Sequence, residues 1–469
     1  MTITKAGEKQ TRRSLSARAT LIAGTGILAA CGEAGSGSQV ASQPAAKSAK
    51  LGGKVVFLAR GNEVELNGQR EVLIPTFKQV APEVEIVHEV VSGGTSAYNE
   101  KLITMWTGGS PPDVWGFGMN YMAYWARGMV ADLTPLITRD KLNLDQFLPG
   151  LMDKFKVKGK YYGLPQQTTF GTLLFYNKTL FDNAGVKHPP FDWEDKSWTY
   201  DAMLDAARKL TKNAGTAEAV YGLSYAPQMP TQAPWNFGGD AFRPEHYTEG
   251  IAPSSQLDSA PSLAAHEFFQ DVAWRDHVSP QTGRDPSVGD FRRGRIAMLV
   301  SGGYNLWNFS AIKDFGWAAA PIPTKVNNKN VNYNDFWELA KDSKNQDAAW
   351  AFMKHLVTPE VQRQYLQLTG TPPTTKAALD DWYKRYESIM PRAGLEKLTQ
   401  GAIDPKRSQE SPDHLFIDWS RFDDYYKKEV RDPLNKNEGK PREVITRAKP
   451  GYDALMNEVY TTWKGKTPA

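Results

Sequence analysis

Cysteine is almost absent from this chain of 469 residues, since Cys31 is the only one. A single cysteine cannot close an intramolecular disulfide, and no other thiol remains for a nucleophile or a cysteine-bound metal cluster. The seven histidines are scattered, and no two have the i, i+4 spacing of a helical metal-binding pair. The composition therefore disfavours a disulfide scaffold, a thiol enzyme and a histidine metal centre. It leaves open a calcium ion held by carboxylates.

Common catalytic motifs are absent as well. The sequence contains neither His-Glu-x-x-His nor Gly-x-Ser-x-Gly. The segment Gly465-Lys466-Thr467 lacks the upstream glycine of a phosphate-binding loop, because position 460 is Tyr. An extracellular glycosidase that uses two carboxylates stays an alternative, although no pair of acids stands out.

Long apolar runs and excess charge are also lacking. After residue 30, no apolar segment approaches the roughly 20 residues that a membrane-spanning helix needs. The whole chain has 56 Lys and Arg residues against 52 Asp and Glu residues. Five of the basic residues and one acidic residue precede Cys31, so a chain cleaved there is formally neutral. Neutrality gives no electrostatic reason to expect nucleic-acid binding.

The amino terminus has the pattern of an export signal. Basic residues precede an apolar stretch from Leu21 to Ala30, which ends in the lipobox-like tetrad Leu28-Ala29-Ala30-Cys31. We expect residues 1–30 to be a signal peptide and Cys31 to be lipidated. Residues 31–50 are rich in small and polar residues and are predicted to form a flexible tether. The pair Arg12-Arg13 fits a twin-arginine signal or an ordinary secretory signal.

The remaining chain alternates between strand and helix patterns. Its length of about 420 residues exceeds what one hydrophobic core usually serves, which predicts two domains. Alternating elements predict doubly wound parallel sheets, with ligands at the carboxyl ends of the strands. The predicted strands are Lys54–Ala59, Glu85–Val91, Pro112–Phe117 and Thr172–Asn177. The predicted helices are Arg70–Val80, Ala97–Trp106, Tyr200–Leu210 with Thr199 as its N-cap, and about Gln346–Val357.

Six motifs in a fixed order resemble the family 1 extracellular solute-binding proteins, to which maltose-binding protein belongs. The motifs are Gly109–Val114, Ala131–Leu136, Gly159–Pro165, Leu174–Lys178, Phe291–Met298 and Ala348–Phe352. The resemblance covers nearly the whole chain after the signal. It implies a type II periplasmic-binding-protein-like α/β fold, in which two doubly wound lobes are joined by a hinge.

The same resemblance implies a function. It predicts a lipoprotein that is not an enzyme and that uses no cofactor. By hinge closure, this protein would capture a mono- to oligosaccharide and deliver it to the membrane permease of an ABC importer. We expect a monomer on the periplasmic or extracytoplasmic face, held to the membrane only by its lipid. The alternatives are a secreted carbohydrate-active hydrolase and a binding protein for another polar solute, such as a polyol phosphate.

The motifs also predict lobe boundaries. The N-lobe is expected to contain residues 51–165 and about 325–357, and the C-lobe about 166–324 and 358–469. Chain crossings between the lobes are predicted near residues 164–170, between Pro321–Lys325 and Tyr333–Ala340, and near Val357–Pro359.

Candidate ligand-binding residues follow from matching the sequence to the family pattern. Aromatic rings suit sugars because the C–H face of a pyranose stacks on them, while amides and carboxylates bind the hydroxyls. The foremost candidate is Tyr304, whose segment Ser301–Tyr304 resembles the family segment that ends in a ligand-stacking ring. Trp307 lies one helical turn away and is expected in the core. For Asp240, the alternative to ligand binding is a role as a helix cap. The predicted site consists of Trp115, Phe117, Asn120, Gln166, Gln167, Thr168, Trp235, Asn236, Asp240, Tyr304, Trp337 and Trp419.

Overall fold

The computed structural model describes residues 51–91, 95–116, 119–225, 230–281 and 288–466. The predicted signal peptide, Cys31, the tether and Phe117 lie outside these ranges. Within them, no helix combines the length and the apolar character needed to cross a bilayer.

The strands are numbered in chain order. They are β1 Gly53–Ala59, β2 Val84–Val90, β3 Val114–Gly116, β4 Lys156–Val157, β5 Lys160–Tyr161, β6 Leu164–Thr168, β7 Thr172–Asn177, β8 Tyr221–Ser224, β9 Ile296–Gly302, β10 Trp317–Ala320, β11 Asn330–Asn332, β12 Asn334–Leu339 and β13 Ser408–Glu410.

The helices surround the sheets. The α-helices are Glu63–Gly68, Ile74–Val80, Thr95–Thr107, Tyr121–Ala126, Thr134–Asp140, Lys178–Asn183, Tyr200–Leu210, Gln232–Asn236, Pro244–Glu249, Ala260–Trp274, Val288–Arg292, Asn305–Phe309, Gln346–Leu356, Pro359–Thr369, Lys376–Tyr386, Arg392–Ile403, Pro412–Leu415, Trp419–Tyr426, Asp432–Asn435 and Pro441–Trp463. Short 3-10 helices are Leu144–Gln146 and Met152–Phe155, and π-helical turns are Gln69–Leu73 and Lys427–Arg431.

The first sheet has the strand order β2-β1-β3-β12-β6. Strand β1 pairs in parallel with β2 and β3, whereas β12 is antiparallel to both β3 and β6. Val55, Phe57 and Leu58 of β1 are fully buried. A strand that is buried on both faces has apolar residues at consecutive positions. The sequence of β1 shows this pattern, which is why the strand could be predicted.

The second sheet has the order β10-β7-β9-β8. Strands β8 and β9 are parallel, whereas β7 is antiparallel to both β9 and β10. The prediction of wholly parallel sheets is therefore wrong in one respect. In the first sheet, β12 enters from the second sheet and is antiparallel to its neighbours. In the second sheet, β7 enters from the first sheet and is antiparallel to its neighbours.

Two hydrophobic cores accompany the two sheets. The second core contains β7 to β10 together with helices Tyr200–Leu210, Lys376–Tyr386 and Arg392–Ile403. The first core contains β1, β3, β12 and helix Gln346–Leu356.

The first core also contains two segments that the sequence analysis assigns to the C-lobe. These are residues 241–257 and 416–459. They meet through rings, because the Phe242 ring centre lies 4.6 Å from that of Phe416 and 5.9 Å from that of Trp419. The structure thus differs from the predicted lobe boundaries at these segments, and the other boundaries stay predictions.

The chain passes between the sheets at two adjacent crossings, and one buried amide joins them. The first crossing joins β6 to β7 through Phe170 and Gly171, which both have left-handed backbones (φ 56° and 74°). The second joins β10 to β12 and includes Asn330. The Asn330 side chain accepts a hydrogen bond from Thr172 N (2.8 Å) and donates to the carbonyls of Phe170 (3.1 Å) and Ala402 (3.2 Å). Both crossings are therefore tied to the end of helix Arg392–Ile403.

Candidate ligand-binding site

A cavity of about 650 Å³ lies between the two sheets, where strand ends of both converge. Arg60 follows β1, Gly116 ends β3, Tyr225 follows β8 and Gly302 ends β9, and all four residues line the cavity. These are the carboxyl ends of parallel strands, the expected ligand position in open α/β sheets. We refer to this cavity as the cleft.

Aromatic rings form one part of the cleft lining. The contributors are Tyr225, Tyr304, Trp307, Tyr333 and Tyr365. Burial raises the pKa of Tyr333 well above its usual value, so its phenol stays protonated, and it accepts a hydrogen bond from the Gln232 side chain.

Two glycines position Tyr304. A Cβ atom on Gly302 would come within 2.1 Å of the Tyr304 ring, so the ring can occupy its place only beside glycine. A Cβ atom on Gly303 would come within 1.8 Å of the Thr169 carbonyl oxygen, and Gly303 N donates to Gly171 O at 2.6 Å. The segment that carries Tyr304 therefore packs directly on the first crossing.

Four carboxylates form the polar part of the lining, with three cationic groups among them. The acids are Glu65, Asp335, Asp413 and Asp423, and the cationic groups are Arg60, His414 and Lys427. Burial raises the pKa values of Glu65 and Asp423. Asp335 accepts a hydrogen bond from Gln167 Nε2 at 2.6 Å, and Asp423 forms an ion pair with Lys427 at 2.5 Å.

His414 is a buried imidazolium within this polar region. Its Nδ1 lies 2.5 Å from Glu410 Oε1, and its Nε2 lies 3.8 Å from Asp413 Oδ1. Burial lowers the pKa of His414, but the charges of Asp413, Glu410 and Asp335 and the hydrogen bond to Glu410 outweigh it and raise the pKa to about 9. The ring is therefore positively charged at neutral pH. The buried Asp413 Oδ1 has no hydrogen-bond partner among the described residues.

The structure brings three of the predicted site residues together in the cleft, namely Gln166, Gln167 and Tyr304. Asn120 lies next to it, where its backbone N donates to the carbonyl of Asp413 at 2.9 Å. Thr168 is buried and lines a separate recess, whereas its neighbour Thr169 lines the cleft. Phe117 lies outside the described residues.

Four predicted tryptophans pack inside the protein and do not line the cleft. They are Trp115, Trp235, Trp337 and Trp419, which are all at most 5% exposed. Their ring neighbours are Tyr124, Tyr247, Phe57 and Phe416, with ring centres 5.5 to 6.4 Å away.

The predicted pair Asn236 and Asp240 serves the local fold. Asn236 is buried, and its carbonyl accepts a hydrogen bond from Val326 N at 2.9 Å. Asp240 accepts hydrogen bonds from Phe242 N (3.1 Å) and Tyr247 OH (2.6 Å), but it does not cap the next helix, whose N-cap is Arg243. Neither residue lines the cleft.

The cleft also contains residues that sequence reasoning missed. Trp307 lies in the second core, as expected, but it also lines the cleft with 8% of its surface exposed. Tyr225 had a usable signal, because it directly follows an apolar strand. Asp413 and His414 had none, since nothing in the local sequence indicates that a segment near residue 413 returns to the first sheet.

Comparisons with known proteins agree with this architecture. The family model of bacterial extracellular solute-binding proteins matches residues 62–363. A Brucella abortus binding protein is 23% identical over 375 residues, which cover 78% of this chain and 83% of that protein. The sn-glycerol-3-phosphate-binding periplasmic protein of Escherichia coli is 21% identical over 332 residues, which cover 68% of this chain and 74% of that protein.

The fold also matches a solved structure along nearly the whole length of that structure. An ABC substrate-binding protein of Listeria monocytogenes in complex with cycloalternan superposes with a TM-score of 0.72 at 21% identity, covering 86% of this chain and 98% of that chain. The two-sheet architecture is thus that of a type II periplasmic binding protein. Since the family model matches well over half of its residues, the chain belongs to the bacterial extracellular solute-binding protein family.

Proposed function

We propose that the cleft binds a neutral carbohydrate, which the chain delivers to the permease of an ABC importer. The observation that carries this proposal is the cleft lining, in which the rings of Tyr304 and Trp307 stand beside amides such as Gln166 and carboxylates such as Asp413. Rings stack on the C–H face of a sugar, and carboxylates accept hydrogen bonds from its hydroxyls. A volume of about 650 Å³ is ordinary for a small-molecule site.

Ligand capture would proceed by a shift between open and closed arrangements of the lobes. A ligand that contacts both sheets favours the closed form in proportion to its differential affinity for the two forms. Gln166 from β6 and Tyr304 after β9 lie on opposite sides of the first crossing, so one ligand can contact both. The motion would be concentrated at the crossings.

A polyol phosphate is the second ligand class to consider, because of the name of the Escherichia coli relative. The charges of the cleft argue against it. Lys427 is paired with Asp423, and His414 lies between Glu410 and Asp413. A phosphate dianion would meet four carboxylates without a free cluster of cations, which disfavours binding of such a group.

We further propose that the chain is an exported lipoprotein and not an enzyme. Membership of an extracellular binding family supports export, and the lipobox-like tetrad before Cys31 supports the lipid anchor. The permease subunits would be its membrane partners, and it would work as a monomer.

The lipid anchor is tested by labelling with palmitate. Labelled palmitate should enter the wild-type chain and should be absent from a Cys31→Ala variant. Equal labelling of both would rule out this anchor.

The ligand class is tested by thermal unfolding in the presence of candidate compounds. A ligand that binds only the folded state raises the unfolding midpoint. We expect a rise with one or more neutral mono- to oligosaccharides and none with glycerol 3-phosphate. A rise with glycerol 3-phosphate alone would refute the carbohydrate proposal, and conversion of a bound sugar into products would favour the hydrolase.

A further inference from the structure

A second cavity of about 770 Å³ lies on the other side of the short helix Pro412–Leu415. Asp413 and His414 of this helix line the cleft, whereas Leu415 lines the second cavity. The walls come from helix Tyr121–Ala126, the β4–β5 hairpin, residues 405–410 and the end of helix Pro441–Trp463.

The second cavity is strongly basic. Seven basic side chains line it against three acidic ones. Lys156 is paired with Asp153 at 3.7 Å, and Arg407 is paired with Glu194. The basic residues without an ion pair among the described residues include Lys154, Lys329 and Lys406. Because these three come from separate segments and line one cavity, they form a region of positive potential that attracts anions.

Aromatic rings accompany these cations. The half-buried rings of Tyr247, Tyr460 and Trp463 line the cavity. Lys464 Nζ lies 5.0 Å from the centre of the Tyr460 ring. Partly exposed flat rings within a concave site provide stacking surfaces for a sugar ring.

A recess of about 240 Å³ adjoins the second cavity, with which it shares Asp153, Lys154, Pro405 and Ser408 as lining residues. Asn332 and Asn334 also line the recess, and each is only 2% exposed. Their Nδ2 groups donate to Ser408 and Glu410, but their Oδ1 atoms have no hydrogen-bond partner among the described residues. Buried acceptors of this kind are normally satisfied, so the recess is suited to a hydroxyl donor.

We propose that the second cavity and its recess bind an anionic saccharide, that is, a sugar that carries a phosphate or carboxylate group. The lysines would bind the anionic group, the rings would stack on the sugar, and the two asparagine oxygens would accept bonds from its hydroxyls. This site is separate from the cleft, and its lining has the opposite balance of charge.

Calorimetric titration of the full chain with glucose 6-phosphate, glucuronate and glucose tests this site. In the Tyr304→Ala chain, in which binding of neutral sugar to the cleft is weakened, we expect at least one anion to bind at least tenfold more tightly than glucose. A further Lys329→Gln/Lys406→Gln double change should weaken that anion binding at least tenfold. A Lys325→Gln variant is the matched control, because this exposed lysine pairs with Asp201 at 3.2 Å outside the cavity. It should bind like the wild type.

A Tyr304→Ala variant separates the second cavity from the cleft and should leave anion binding unchanged. Thermal unfolding midpoints within a degree or two of wild type would establish that the lysine variants are folded. Binding of only one anion supports the site and identifies the anionic group. Equal affinity of the Tyr304→Ala chain for glucose and both anions, anion binding that survives the lysine changes, or anion binding that is lost with Tyr304 would each overturn the proposal.

Discussion

Tyr304 is the cleft residue whose position is best explained by its neighbours. Gly302 leaves room for its ring, and Gly303 allows its segment to pack on the Thr169 carbonyl. The ring is half-buried and lines the cleft, so it is available to a ligand. The position of this ring therefore depends on the absence of side chains at two neighbouring residues.

We predict that Tyr304→Ala weakens carbohydrate binding by about 1–3 kcal/mol, the scale of burying one aromatic side chain. Tyr304→Phe should retain most of the affinity, because stacking needs the ring and not the hydroxyl. Affinity would be measured by titration, with unfolding midpoints as the control for folding. A loss of stability without a loss of affinity would show that the ring serves only packing.

Glu338 is a carboxyl group in the first core, directly opposite Trp115 in the pairing of β12 with β3. It is fully buried, and neither of its oxygens has a hydrogen-bond partner among the described residues. Burial raises its pKa well above the usual value, which favours the protonated form in the folded protein.

A raised pKa in the folded state makes stability fall as pH rises. The contribution of Glu338 is complete below its unfolded pKa of about 4.3 and declines by up to about 1.4 kcal/mol per pH unit until the folded pKa is reached. Glu338→Gln should therefore stabilise the protein at pH 7 and flatten the dependence of unfolding free energy on pH above 5. Denaturant titrations at pH 5 and pH 7 measure this. Glu63→Gln at an exposed site is the control, and identical slopes for wild type and Glu338→Gln would contradict the prediction.

At the level of single residues, the sequence predicts part of the cleft. Gln166, Gln167 and Tyr304 lie next to motifs with a fixed local geometry, so their position follows from nearby sequence. Tryptophans such as Trp115 and Trp419 carry no local mark that separates a core ring from a ligand-stacking ring. Their burial depends on what packs over them, and those neighbours are distant in sequence.

At the scale of the elements, the two crossings contain left-handed backbone at Phe170 and Gly171 and are held together by the side-chain amide of Asn330. Asn330 is fully buried and holds the backbone of both crossings and the end of a helix through three hydrogen bonds. Removal of its amide leaves buried backbone groups without partners, which costs about 1–3 kcal/mol for each group.

We predict that Asn330→Ala lowers the free energy of unfolding by about 3 kcal/mol or more, since three backbone groups lose their partner. Asn67→Ala is the comparison, because the Asn67 side chain bonds only the exposed Arg70 among the described residues, and its loss should change stability by less than about 0.5 kcal/mol. Chemical denaturation measures both. Equal effects of the two changes would mean that the crossings do not depend on this amide.

Local patterns predict the elements well and their partners poorly. Strand β7 and helix Tyr200–Leu210 have the predicted bounds, and the predicted Thr199 cap is confirmed, since its hydroxyl accepts a bond from Ala202 N at 3.1 Å. The pairing of β11 with β13 joins residues more than 70 positions apart. Such a pairing has no local signature, because it is decided by the packing of the whole chain.

At the scale of the whole molecule, the proposed function requires the two sheets to approach each other around a ligand. Small-angle scattering should show a smaller radius of gyration once a carbohydrate found by thermal unfolding is present at saturation. The Tyr304→Ala variant at the same ligand concentration should change less, because its closed form is less stabilised. A profile that ligand leaves unchanged would contradict closure.

The participation of helix Pro441–Trp463 in the first core has a consequence for biosynthesis. Val444, Tyr452 and Met456 of this helix are fully buried in the same core as β1, whose residues leave the ribosome almost 400 residues earlier. The second core needs no residue beyond Ile403. During translation, the middle of the chain can thus complete its core first, while the first core stays incomplete until helix Pro441–Trp463 is made. A chain that stalls before residue 441 would expose to proteases the apolar faces of helices Ala260–Trp274 and Trp419–Tyr426, on which helix Pro441–Trp463 packs, which gives the cell a means of removing incomplete copies.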